Sequence, residues 1–143
     1  MILSSSELEF EIKIKMNKLI IDVANEKIFL MIITSSDIYN ITHDNTKINY
    51  EKLVKIISDF LVTNNIRITD INKIYINGGP GSFAGIRNSI SVVKAFNVAK
   101  KIDYYCYSLE DFKGETDVSY ENIPNLCDKF KIKKNLINPI YIS

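Results

Sequence analysis

Ile74-Tyr75-Ile76-Asn77-Gly78-Gly79-Pro80-Gly81-Ser82-Phe83-Ala84-Gly85-Ile86-Arg87 is the stretch that decides how this chain folds. A short apolar run enters it as a strand, and a long apolar helical pattern leaves it. Four glycines around one proline specify a backbone that needs positive φ or the close approach of another segment. The helix that follows is unusually apolar. On a helical wheel Ile86, Ile90 and Val93 make one face, and Val92, Ala95, Phe96 and Ala99 make a second. The two together span about half the circumference, wider than the stripe one sheet face requires. Two readings fit: a helix sandwiched inside the domain, or one face on the sheet and the other on a partner, the second being favoured.

Outward from the loop, toward the N-terminus, Asn49 to Thr63 places Tyr50, Leu53, Ile57, Phe60 and Leu61 at helical spacing, with Lys52, Lys55 and Asp59 facing away. Three short apolar runs precede it: Lys18–Asp22, Lys27–Thr34 and Ile38–Thr42. The polar turns Asn25-Glu26 and Ser35-Ser36-Asp37 separate them, which reads as an antiparallel meander. A strand is expected at Lys73–Asn77. Beyond the loop, Asp103–Ser108 reads as a tyrosine-rich strand, with Leu109–Phe112 as a turn of helix. The pattern weakens after Lys113. Residues 1–15 read as an extension, in which Phe10 to Lys15 alternates apolar and charged residues and suits an added edge strand. The domain then begins near Met16. Strand, strand, strand, helix, strand, helix, strand is the plan of a ribonuclease H-like or actin-like half-domain, an α/β fold with a mixed sheet. Three parts follow: extension 1–15, first lobe 16–112, and a short remnant 113–143.

The 143 residues suffice for one domain with a real core, and 46% apolar with 24% charged residues is a globular composition. Eighteen basic against 17 acidic residues leave a net charge of +1, so no broad nucleic-acid footprint exists and any role with nucleic acid is expected to be indirect. Cys106 and Cys127 lack metal or disulfide spacing and read as small buried hydrophobes. The N-terminus lacks the basic start and apolar run of a secretory signal. No segment approaches the roughly 20 apolar residues of a membrane span. The cytoplasm is the expected location, without a membrane partner.

The glycine loop opens a helix, so an anion site involving Gly79, Pro80, Gly81, Ser82, Phe83, Gly85 and Arg87 is one reading. A Walker A loop is excluded because no Gly-Lys-Ser/Thr closes it. Gly79-x-Gly81-x-x-Ala84 satisfies a dinucleotide fingerprint, but Pro80 removes one N–H and the meander is wrong for a first Rossmann unit. The favoured role is a tight turn that positions the helix. Ser82 lacks the flanking glycines of a nucleophile elbow, since Pro80 and Ala84 stand there. The one histidine, His43, lies at the end of the third strand and reads as a solvated side chain. Asp22 stands where actin-like ATPases place a carboxylate for a metal–nucleotide complex, but no second carboxylate accompanies it. A structural aspartate is expected. No metal, cofactor or catalytic residue is assigned.

Gly78–Arg87 resembles the GPGSFTGLR loop of the TsaB (YeaZ) family, the accessory subunit of the bacterial tRNA threonylcarbamoyladenosine (t6A) machinery. Ile20-Ile21-Asp22-Val23-Ala24 is similar to the family's opening IDTA, and Asn138-Pro139-Ile140-Tyr141-Ile142 to its closing PVYLR. Ala84 replaces the usual threonine, and Asn88 a small apolar residue or isoleucine. Between Phe112 and Asn138 there is too little chain for the usual second domain of about 100 residues, so this resembles a form reduced to its first lobe. The resemblance implies a non-catalytic subunit that pairs with a TsaD-type transferase for threonylcarbamoylation of adenosine 37 in tRNA. It implies contact with a TsaE-like ATPase through that complex, and a homodimer in isolation. It also implies a helix-bundle interface, here assigned to Tyr50, Leu53, Ile57, Ile86, Ile90, Val93 and Phe96, or to the face on the other side of the same helices. Two other readings stand beside it: a small nucleotide- or anion-binding enzyme using the Gly78–Gly85 loop, and a degenerate remnant that only homodimerises.

Overall fold

Strand β1, Asn17–Asp22, lies at the centre of the fold. The computed structural model describes residues 2, 4–6, 16–137 and 139–142. The extension reading, including an edge strand at residues 10–15, lies outside the described residues. On β1, Leu19 and Ile21 point to one side of the sheet and Ile20 to the other, all three fully buried. Because side chains alternate across a strand, such a continuous apolar run means that both faces are covered. Five strands form the sheet, in the spatial order Ile38–Asp44, Lys27–Ile33, β1, Ile71–Asn77 and Asp103–Tyr107. Strands β2 (Lys27–Ile33) and β3 (Ile38–Asp44) complete the meander, while β4 (Ile71–Asn77) and β6 (Asp103–Tyr107) run parallel to their neighbours. Parallel neighbours need long crossovers, and two helical ones supply them.

The first crossover holds two helices where one continuous helix over Asn49–Thr63 is expected. Helix α1 covers Lys47–Glu51 and α2 covers Leu53–Thr63. Thr46 caps α1 by accepting the Asn49 N–H through its side chain. At Lys52 the N–H bonds back only three residues, to the Asn49 carbonyl, and this tighter turn separates the two helices. Helix α3, Phe83–Lys100, makes the second crossover and begins two residues before Gly85.

One core lies between the sheet and these helices. It joins Leu19, Ile21, Ile74 and Ile76 to Leu53, Ile57, Phe60, Ile86, Ile90 and Val93. Each such side chain contributes about 1.5–3 kcal/mol on burial. The opposite sheet face buries Ile20, Met31, Tyr75 and Tyr107 against Phe112, Ile123, Leu126 and Cys127. Its cover includes helix α4, Ile123–Lys129, from the region where the sequence pattern weakens. Ile123, Leu126, Cys127 and Phe130 are spaced one helical face apart, with Pro124 in the first turn. A helix of seven residues is too short for that periodicity to stand out from its surroundings.

Candidate functional site

At the carboxyl ends of β1, β4 and β6, where open α/β sheets receive ligands, the chain folds its own segments onto the strand ends. β1 ends in Asp22, which is 2% exposed. Its Oδ1 accepts the Ala24 N–H at 2.9 Å. Its Oδ2 accepts from Asn77 Nδ2 at 3.1 Å and from the Tyr120 hydroxyl at 2.6 Å. Asn25 Nδ2 approaches both oxygens, at 3.5 and 3.3 Å. The Tyr120 ring stacks on Phe29 with centroids 3.9 Å apart. Burial raises the Tyr120 pKa above the ordinary phenol value, and the adjacent Asp22 carboxylate raises it further. The hydroxyl therefore stays a donor to Asp22. Burial likewise raises Tyr107, again with Asp22 contributing. Asp22 binds the end of β1 to β4 and to the C-terminal segment.

The glycine loop is equally committed. Gly78 N–H donates to the Tyr107 carbonyl at 2.7 Å, and Ser82 N–H to the Ala24 carbonyl at 2.9 Å. Gly79 N–H donates to Asn77 Oδ1 at 2.9 Å. Gly85 N–H reaches Ser82 Oγ at 3.3 Å, so the Ser82 side chain caps α3. The Gly79–Pro80 peptide is cis. A side chain on Gly81 or Gly85 would come within 3.0 Å of the Ala24 or Val23 carbonyl oxygen. These two glycines let the loop press against the turn after β1. Gly79, at φ +116°, meets the Ile140 carbonyl in the same way. The Ile140 N–H donates to the Gly78 carbonyl at 2.6 Å, and β5 (Gly81–Ser82) pairs in parallel with β7 (Tyr141–Ile142). Arg87 is exposed, with its guanidinium 5.9 Å from the Phe83 ring. The loop thus joins β1, α3 and the C-terminal segment through its own backbone. That favours the turn reading over an anion cradle, since most of its N–H groups already have acceptors inside the chain.

His43 lies away from this site, on β3, beside Asp59 and Thr63 at a small cavity. Asn45 ties the meander to the same strand ends: its Nδ2 donates to the Val23 and Asn25 carbonyls at 2.9 and 2.7 Å. Sequence reasoning singled out neither Asn77, Asn45 nor Tyr120. Asn77 closes the apolar strand, where a buried amide could have been suspected. Tyr120 carries no local sign, because its partner is 98 residues away.

The interface assignment needs correction. Leu53, Ile57, Ile86, Ile90 and Val93 are between 0 and 8% exposed and belong to the chain's own core. Tyr50 and Phe96 are half-buried against it. These side chains already cover the sheet, so none of the five offers a partner any surface. On the same helices the exposed large apolar residues are Ile48, Val54, Val62, Phe83 and Val98, with Ala95 and Ala99 also exposed.

A five-stranded mixed sheet in which β2 alone runs antiparallel to the rest, with helical crossovers, is the ribonuclease H-like/actin-like arrangement. The fold is similar to that of part of YeaZ. The chain is similar to the structure of YeaZ from Pseudomonas aeruginosa, with TM-score 0.61 and 19% identity over 65% of this chain and 44% of that one. It is equally similar to a Pseudomonas aeruginosa protein described as uncharacterized with similarity to peptidase YeaZ, with TM-score 0.61 and 19% identity over 65% of this chain and 43% of that one. The chain spans less than half the length of either. No family model and no curated protein sequence matches it. Among the described residues no cluster of three or more His, Cys, Asp or Glu could hold a metal ion. No helix there is long and apolar enough to cross a membrane.

Proposed function

We propose that this chain is a TsaB-type accessory subunit, whose actin-like lobe pairs with a TsaD-type transferase in tRNA threonylcarbamoylation and does no chemistry of its own. Likeness of the fold to YeaZ, together with the Gly78–Arg87 loop, carries the reading. The self-contained hydrogen bonding at the strand ends supports it. Asp22 and the loop spend their polar groups on holding the lobe together, which suits a scaffold better than a nucleotide site. The segment after β6 covers the second sheet face.

The partner surface is the outer side of the helical layer. On α2, Val54, Ser58 and Val62 are exposed at spacings of four; on α3, Ser91, Ala95 and Val98 are exposed at spacings of four and three. Both stripes carry short or branched side chains that let another helix approach closely. Contact with a TsaE-like ATPase, and with tRNA, would follow only through the transferase. Residues 113–143 act in this account as the replacement for a second lobe.

The test is binding of the TsaD-type protein from the same genome by calorimetry, with Val54→Asp and Val98→Asp as variants. Both sites are exposed, so the fold should survive while affinity falls by about tenfold or more. Unchanged binding by both variants would overturn the assignment of this face.

A further inference from the structure

Phe112 and Ile123 are each 1% exposed and anchor the chain on the second face of the sheet. Between them, residues 113–122 form a strap across the end of β1. All of it is exposed except Glu115, Tyr120 and Asn122. Its backbone bonds are local: the Glu115 N–H donates to the Phe112 carbonyl, and the Asn122 N–H to the Ser119 carbonyl. Among the described residues, only two side chains carry a hydrogen bond or ion pair from the strap to anything beyond the first turn of α4. Glu115 pairs with Lys129, an ion pair open to solvent that adds little. Tyr120 alone reaches inward. Its hydroxyl donates to Asp22 Oδ2 at 2.6 Å, and its ring lies on Phe29 with the planes 14° apart.

We infer that Phe29, Asp22 and Asn25 frame a binding site for a small planar aromatic molecule of the phenol class, and that Tyr120 is its exchangeable occupant. The occupant displays the chemistry the site takes: a flat face against Phe29 and one donor aimed at a buried carboxylate oxygen. Open α/β sheets receive ligands at the carboxyl ends of their strands, so the strap fills a position that the fold leaves for one. Asp22 stays hydrogen-bonded when Tyr120 departs, because it keeps the Ala24 N–H at 2.9 Å and Asn77 Nδ2 at 3.1 Å. Gly114, at φ +91° with open space around it, supplies a hinge, and the exposed strap residues lose no burial by moving. A segment held by one ring belongs to the low-stability end of local opening. A phenol in the place of Tyr120 shifts the strap to its open state in proportion to its preference for that state. The site does not depend on pairing with the transferase, which uses the outer side of the helical layer.

The probe is 4-methylphenol, the tyrosine side chain cut free at Cβ, with toluene as the same ring without a donor. Tyr120→Ala empties the site. By calorimetry and by the rise in Tm, it should bind 4-methylphenol about tenfold or more tightly than toluene. In the unmodified chain, Glu121 lies next to Tyr120 and becomes a target for a glutamate-specific protease once the strap opens. At about ten times the dissociation constant found for the variant, 4-methylphenol should speed that cut about tenfold, and toluene should not. Should Tyr120→Ala fail to fold, Tyr120→Phe carries the test, because it keeps the ring and loses the donor. Its strap should be cut faster than the parent's, and 4-methylphenol should speed the cut at a lower concentration. A folded Tyr120→Ala that takes both probes equally, or neither, overturns the inference. So does a cut at Glu121 that 4-methylphenol leaves unchanged, or a Tyr120→Phe strap cut no faster than the parent's.

Discussion

Asp22 offers the sharpest test of how the lobe is held together. Replacing it with Ala removes the acceptor for the Ala24 N–H, Asn77 Nδ2 and the Tyr120 hydroxyl, and for the longer bonds from Asn25 Nδ2. Ala24 and Asn77 are buried, at 4% and 2% exposure, so water cannot replace the lost bonds without rearrangement. An unsatisfied buried donor costs about 1–3 kcal/mol. Two of them, plus the bond to Tyr120, give a loss of roughly 3–5 kcal/mol for Asp22→Ala, a large fraction of the roughly 5–15 kcal/mol that holds an ordinary domain folded. Milder variants are therefore the better instrument. Asp22→Asn keeps one acceptor oxygen but turns an amide toward Asn77 and Tyr120, at a cost of about 2 kcal/mol. Tyr120→Phe removes one charge-assisted bond, at about 1.5 kcal/mol. The two variants act on one bond, so combined they should cost about 1 kcal/mol less than their sum. Urea unfolding followed by far-ultraviolet circular dichroism measures all three. The reasoning is refuted if Asp22→Asn lies within about 0.5 kcal/mol of the parent, or if the two variants are strictly additive.

Three further outcomes follow from the same geometry. Gly85→Ala should destabilise by about 2–3 kcal/mol, because its Cβ would strike the Val23 carbonyl. Gly114→Ala, with φ +91° and open space around it, should cost only about 1 kcal/mol; thermal melts of the pair would separate packing from backbone strain. Burial raises the pKa values of Tyr75, Tyr107 and Tyr120 in the folded chain, so the unfolded chain loses these protons first. Stability should be fully present below about pH 10 and fall above it. Tyrosinate absorbance should then rise together with unfolding; if all eight tyrosines ionise while the circular dichroism is unchanged, the burial argument fails.

The fold was legible where local and global demands coincide. β1 and β4 read as buried strands because they are apolar on both faces. The loop between β4 and α3 was legible because its glycines are needed where it touches the Val23 and Ala24 carbonyls. Which helix face the sheet takes was not legible: Ile86, Ile90 and Val93 form a strong apolar face, and the sheet itself takes up that face. Helical periodicity shows which side is apolar, but not whether this chain or another covers it. The break at Lys52 left no mark, because the apolar spacing continues across it from Tyr50 to Leu53. Tyr120 and α4 were missed because their meaning lies in distant partners, Asp22 and the far face of the sheet. A reader of one sequence cannot recover such contacts from local spacing.

The most direct test of the accessory-subunit account is light-scattering mass during size exclusion, with the chain alone and mixed with the TsaD-type protein from the same genome. The account predicts a stable mixed peak whose mass equals the sum of the two chains in a fixed ratio, lost with Val54→Asp. Two separate peaks at every ratio, from well-folded proteins, would contradict it.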